Sequence, residues 1–177
     1  LLIEKEIVLD GNGYTITKGE GGDEAPNRAG ILVTSGATVR DLTVEGPNTT
    51  PEGWDSGEFG IKLYEAQGAT LQDVTVEQAN AGIQVNGGSV ALVGTITLSH
   101  NEFGGIEVCR QAQLDLTQAS LVNESESREA PTLWSDSGKG TILESGGQPL
   151  YLWTEYASGK DHIYLDPEHL GVEARVG

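Results

Sequence analysis

GATVRDLTVE at residues 36–45 recurs as GATLQDVTVE at residues 68–77, with seven of ten positions identical and only apolar or long polar exchanges at the rest. Self-similarity at a fixed period is the signature of a repeat architecture. Each copy follows a glycine-isoleucine start, at Gly30-Ile31 and Gly60-Ile61, and the same start returns at Gly82-Ile83 and Gly105-Ile106. The intervals are 30, 22 and 23 residues. Within each repeat the apolar residues alternate: Ile31 and Val33, Ile61 and Leu63, Ile83 and Val85, Ile106 and Val108. Period two places these on one face of a strand and their neighbours on the other. A second short strand follows each, marked by Val39, Leu42 and Val44, by Leu71, Val74 and Val76, by Ile96 and Leu98, and by Leu114, Leu116 and Leu121. No helical period competes. Short strands separated by Gly, Asn and Ser turns bury their apolar faces by stacking repeat on repeat, so like residues lie above like.

Composition agrees with many turns around a real core. Glycine supplies 25 of 177 residues, about twice its usual ~7% share. No apolar run approaches the ~18 residues of a membrane span, so membrane insertion is not expected. Ten Lys and Arg stand against 27 Asp and Glu, for a formal charge of −17. That charge argues against nucleic acid and anionic lipid as partners, since it repels phosphate at long range. Cys109 is the only cysteine, which excludes an internal disulfide.

The opening IVLDGNGYTITKG, the Gly-Ile starts and the GATVRDLTVE type of second strand resemble the right-handed parallel β-helix proteins of the pectin-lyase-like superfamily. The resemblance implies an all-β, right-handed parallel β-helix of about six coils. The expected organisation is one domain over 1–177, with regular coils over about 3–130 and irregular final coils or a cap over 131–177. The short pieces TILES, PLYLW and HIYL belong to that last part. An N-terminal cap is expected upstream of residue 1, in a longer parent chain. The superfamily implies little about activity, since it holds lyases, hydrolases, epimerases, adhesins and inert spacers. Its Asn-Thr-Asp, Asp-Asp, Gly-His-Gly and Arg-Ile-Lys elements do not occur here. Against its Asp-Pro-His-Asp element this chain has Asp166-Pro167-Glu168-His169.

Two insertions precede Gly-Ile starts, KGEGGDEAPNRA at 18–29 and EGPNTTPEGWDSGEF at 45–59, and stacking should bring them side by side. Hard cations take several carboxylate oxygens, so Glu20, Asp23, Glu24, Asp55 and Glu58 are candidate calcium ligands. Trp54 in the second insertion is a platform for the apolar face of a sugar. Beside it, Lys62, Tyr64, Gln84, Asn86, Glu107 and Arg110 form the outward polar face of the first strands. Long polar side chains with an aromatic among them suit a groove for an extended polysaccharide. The candidate substrate-binding set is therefore Trp54, Lys62, Tyr64, Gln84, Asn86 and Glu107. Hydrolysis needs two carboxylates and elimination a base, for which Asp55, Glu58, Glu107 and Lys62 are the candidate catalytic residues. Three functions stand open: a non-catalytic secreted or cell-surface module contacting polysaccharide, a polysaccharide lyase, hydrolase or epimerase, and a structural spacer of a surface protein.

Overall fold

The computed structural model describes residues 1–18, 28–49 and 57–124, Leu133, and the backbone of the strands at 133–135, 140–144, 150–154, 162–165 and 174–176. The described residues form strands and turns with no helix, hence no helix long and apolar enough to cross a membrane. The strands alternate between two sheets along the chain. The first sheet contains β1 (Leu2–Ile3), β3 (Ile31–Val33), β5 (Phe59–Tyr64), β7 (Ala81–Asn86), β9 (Ile106–Cys109), β11 (Leu133–Ser135), β13 (Leu150–Thr154) and β14 (His162–Leu165), in that spatial order. The second contains β2 (Val8–Thr17), β4 (Thr38–Glu45), β6 (Gln67–Glu77), β8 (Ser89–Ser99), β10 (Gln113–Asn123), β12 (Gly140–Glu144) and β15 (Ala174–Val176), again in order. Every neighbouring pair is parallel except the last in each sheet, β13 with β14 and β12 with β15. One strand per sheet per repeat, paired in parallel with the next repeat, fits a parallel β-solenoid.

Register explains the repeated sequence. The two decamers lie directly on one another, Thr38 on Thr70 through Glu45 on Glu77. In the first sheet Ile31, Ile61, Ile83, Ile106 and Leu133 form one column, and all five are fully buried. Val33, Leu63, Val85 and Val108 form the next inward column, and in the second sheet Val44, Val76 and Leu98 form a column that lies against the glycines of the Gly-Ile starts. Strands ~4.8 Å apart bring equal side chains into contact, so one choice of residue at a column position serves every repeat. The glycine of each Gly-Ile start has a steric reason. A Cβ on Gly30 would stand 2.7 Å from Val44 Cγ1, and one on Gly60 would overlap Val76. The Asp of each decamer has a conformational one. Asp41 and Asp73 sit at φ of 54° and 49°, in the left-handed region that Asp tolerates better than most residues, and Asp73 Oδ1 accepts the Thr95 N–H of the next repeat at 2.9 Å.

The two ends of the stack differ. The pieces TILES, PLYLW and HIYL of the sequence reading correspond to β12, β13 and β14, and both sheets finish there on a short antiparallel strand. At the other end β1 and β2 are terminal in their sheets.

Candidate functional site

The outward side chains of β5, β7 and β9 continue the columnar logic. Lys62 pairs in register with Gln84 and Gln84 with Glu107. The sequence reading has these three lining an open groove, but they are only 5%, 5% and 1% exposed. Gln84 Nε2 donates a short hydrogen bond to Glu107 Oε2, and Lys62 Nζ lies 5.5 Å from the centroid of the Phe59 ring. Phe59 is itself buried against Ala81. Lys62 and Glu107, of opposite sign, thus stand two strand spacings apart, ~10 Å, with an amide between them. Long side chains can lay their apolar stems on a sheet, and buried charges persist where they are hydrogen-bonded or compensated. The column is therefore a polar layer of the interior and not an open groove wall.

The neighbouring outward position remains at the surface. Tyr64 pairs with Asn86 and Asn86 with Cys109; Cys109 is buried, whereas Tyr64 is 36% exposed. Arg110 is exposed. Its guanidinium lies 5.9 Å from the Tyr64 ring centroid and Nη1 is 3.4 Å from the phenolic oxygen. Asn86 Nδ2 donates a long 3.4 Å bond to Gln84 Oε1, while Asn86 Oδ1 is shielded from solvent and has no hydrogen-bond partner.

The backbone at Arg110 is left-handed, as it is at Glu65 and Gly87, the residues that follow the same column in the two preceding repeats. Ala112 N–H donates to the Cys109 carbonyl at 3.0 Å, closing a tight turn whose central residues Arg110 and Gln111 have φ of 52° and 60°. Two successive left-handed residues call for Gly, Asn or Asp. One repeat earlier the corresponding positions are Gly87 and Gly88, at φ of 75° and 80°. The preceding repeat turns with two residues, Gly87 and Gly88, between Asn86 and Ser89, where this one has three, Arg110, Gln111 and Ala112, between Cys109 and Gln113.

Glu58, a candidate for both metal and catalysis, is fully buried. It accepts from Thr49 N at 2.9 Å and from Thr49 Oγ1, and its Oε1 is 3.3 Å from Arg28 Nη1. These contacts join the end of the 18–29 insertion to both ends of the 45–59 insertion. Next to them Asn48 links Asn80 (3.2 Å) to Glu102 (2.9 Å). Glu58 is occupied as a clasp between segments. Trp54, Asp55, Glu20, Asp23 and Glu24 lie outside the described residues, and the calcium expectation rests on them. Among the described residues no three His, Cys, Asp or Glu side chains are grouped to hold a metal.

An open cleft of about 440 Å³ lies on the second sheet, lined by Asp10, Asn12, Gly13, Asp41, Leu42, Thr43, Asp73 and Thr75. Its acids are engaged locally: Asp10 pairs with Arg40 at 2.7 Å, Asp41 with Arg40 at 3.6 Å, and Asp73 with the Thr95 N–H. The Asn12 backbone N–H, and after it Arg40, hold the Asp10 carboxyl below the usual carboxylate range.

Sequence reasoning missed the Arg110–Gln111 turn, although GIQVNGG aligned on GIEVCRQ carries the signal, with Gly87 against Arg110. No protein-family model, no curated protein and no solved structure matches the chain.

Proposed function

We propose that this chain is a right-handed parallel β-helix of about six coils, of the pectin-lyase-like kind, acting as a non-catalytic secreted or cell-surface module that contacts polysaccharide. Right-handedness is the expectation for crossovers between parallel strands of one sheet. The observation that carries the functional reading is the group of Tyr64, Asn86 and Arg110. An aromatic ring and a guanidinium lie together at the surface, with the Asn86 amide in the repeat between them. An exposed ring suits the apolar face of a sugar and a guanidinium its hydroxyls. Arg110 is held there by a backbone that glycine would adopt without strain. Lys62, Gln84 and Glu107 lie beside the group on the same strands, joined to it by the Gln84–Asn86 bond, and Trp54 remains a proposed second platform. On a chain of charge −17, an acidic glycan depends on Arg110 and its binding responds to salt, whereas a neutral one is insensitive to salt.

Glycan-array binding of wild type against Tyr64→Ala tests this reading. Binding by wild type that drops tenfold or more in the variant is expected; no ligand for either protein, or equal binding by both, would reject it. The spacer reading is favoured by one observation, the burial of Lys62, Gln84 and Glu107, which removes three of the six sugar-contacting candidates from solvent.

A further inference from the structure

The corner that follows β5, β7 and β9 places a left-handed residue at each level: Glu65, Gly87 and Arg110, at φ of 50°, 75° and 52°. Backbone bonds hold the three in one stack, with the Glu65 N–H on the Asn86 carbonyl at 2.9 Å and the Gly87 N–H on the Cys109 carbonyl at 3.1 Å. Glu65 and Arg110 are therefore two strand spacings apart, ~10 Å, and the residue between them has no side chain. A Cβ on Gly87 would lie 3.5 Å from Glu65 Cγ and 3.8 Å from the Arg110 carbonyl oxygen, so both residues border one gap. Their charges are engaged differently. The Arg110 guanidinium reaches back to the Tyr64 ring and its phenol. Glu65 is exposed, and among the described residues its carboxylate makes no hydrogen bond or ion pair.

We infer that the glycan taken at this surface is uncharged and that Glu65 sets the preference; this rests on the glycan reading above. Three observations select a neutral ligand. First, the strands β3, β5, β7 and β9, with the residues 34–35, 65–66, 87–88 and 110–112 that follow them, contain Lys62 and Arg110 against Glu65 and Glu107. These charges cancel, so the site has no cationic surplus to draw a carboxylate or sulfate against the field of a chain of charge −17. Second, of the two cations Lys62 is only 5% exposed, which leaves Arg110 to receive an anion, and Glu65 borders the same gap. A carboxylate brought to Arg110 is brought to Glu65 as well, and repulsion between unit charges ~8 Å apart in water lowers an affinity by about threefold. Third, an ionised carboxylate with its lone pairs unengaged accepts hydrogen bonds from sugar hydroxyls. With the Tyr64 ring as a stacking face and Arg110 as donor, Glu65 completes the set that an uncharged sugar uses. The one side chain thus favours a neutral ring and repels an acidic one.

An array that carries neutral gluco-, manno- and xylo-oligosaccharides beside uronate and sulfated oligosaccharides tests this on the 177-residue chain. Wild type should prefer the neutral members. Titration of the best binder should give Kd values within about twofold of each other at ~50 mM and ~500 mM NaCl. Glu65→Lys, which leaves two cations and no acid at the gap, should raise the signal from acidic members about tenfold. It should also weaken the neutral ones by about threefold or more through the lost acceptor. Circular dichroism should be unchanged, since Glu65 is at the surface; if the variant does not fold, the specificity and salt dependence of wild type decide. Acidic members preferred by wild type, a Kd that moves with salt by more than about twofold, or a Glu65→Lys variant whose acidic signal is no higher than that of wild type would overturn the inference and leave the glycan reading standing. No glycan bound at all would overturn both.

Discussion

Strands β5, β7 and β9 carry two adjacent columns that are equally hidden from water and chemically opposite. On the inner side Ile61 lies on Ile83 and Ile83 on Ile106; on the outer side Lys62, Gln84 and Glu107 follow the same register. The inner column is like on like. It works because identical branched side chains one strand spacing apart pack without voids. The outer column places a cation, an amide and an anion in succession, and each buried head group has to be compensated. A repeat architecture can therefore tolerate the same residue inside at every level, but outside it must compose each level with regard to the next.

Truncating the inner column should have the largest effect. Ile83→Ala should cost about 2–5 kcal/mol through the cavity it leaves, measured as the fall in urea unfolding free energy. A cost below that of every surface change would break the comparison, because it would mean that the Ile column is not the core. In the outer column Gln84→Ala removes the donor to Glu107 and the acceptor for Asn86. It should cost about 1–3 kcal/mol, the range for leaving a buried hydrogen-bonding partner unsatisfied. An unchanged stability would show that the outer column is tolerated without contributing to the fold.

The smallest effect belongs to the surface of the second sheet. Asp10 is held below its ordinary range in the folded chain, first by the Asn12 N–H and then by Arg40. A depressed carboxylate contributes stability that is present at neutral pH and lost as pH falls through the folded value. Asp10→Asn should therefore unfold slightly more easily than wild type at about pH 7 and equally at about pH 2. A difference that persists in acid would assign the effect to something other than the carboxylate charge.

The same contrast explains what the sequence made legible. Ile31, Ile61, Ile83 and Ile106 could be read as one buried column because alternation and the recurring Gly-Ile start fix both face and register. The parallel pairing followed from the period. The outer column could not be read in that way. Lys, Gln and Glu on an outward face ordinarily mean water, and their burial depends on what lies over the sheet, which no strand pattern encodes. Glu58 was hidden for a related reason: an acid in an acidic insertion has no periodicity, so its clasp with Arg28 and Thr49 is visible only in three dimensions. The Arg110–Gln111 turn is an intermediate case. Its alignment with Gly87-Gly88 was present in the residues, but its meaning required the left-handed φ of both turns.

That turn offers the most direct test of the functional reading, because fold and function make opposite demands on Arg110. Replacing a strained left-handed residue by glycine removes a conformational cost of about 1 kcal/mol, and the preceding repeat has a left-handed glycine, Gly87, after the strand residue in register with Cys109. Arg110→Gly should therefore raise Tm, while glycan binding falls tenfold or more with the loss of the guanidinium over Tyr64. Measuring both quantities on the one variant is decisive: a more stable protein that no longer binds is the predicted result, and a more stable protein with undiminished glycan binding, or with no glycan bound by wild type either, would contradict the account.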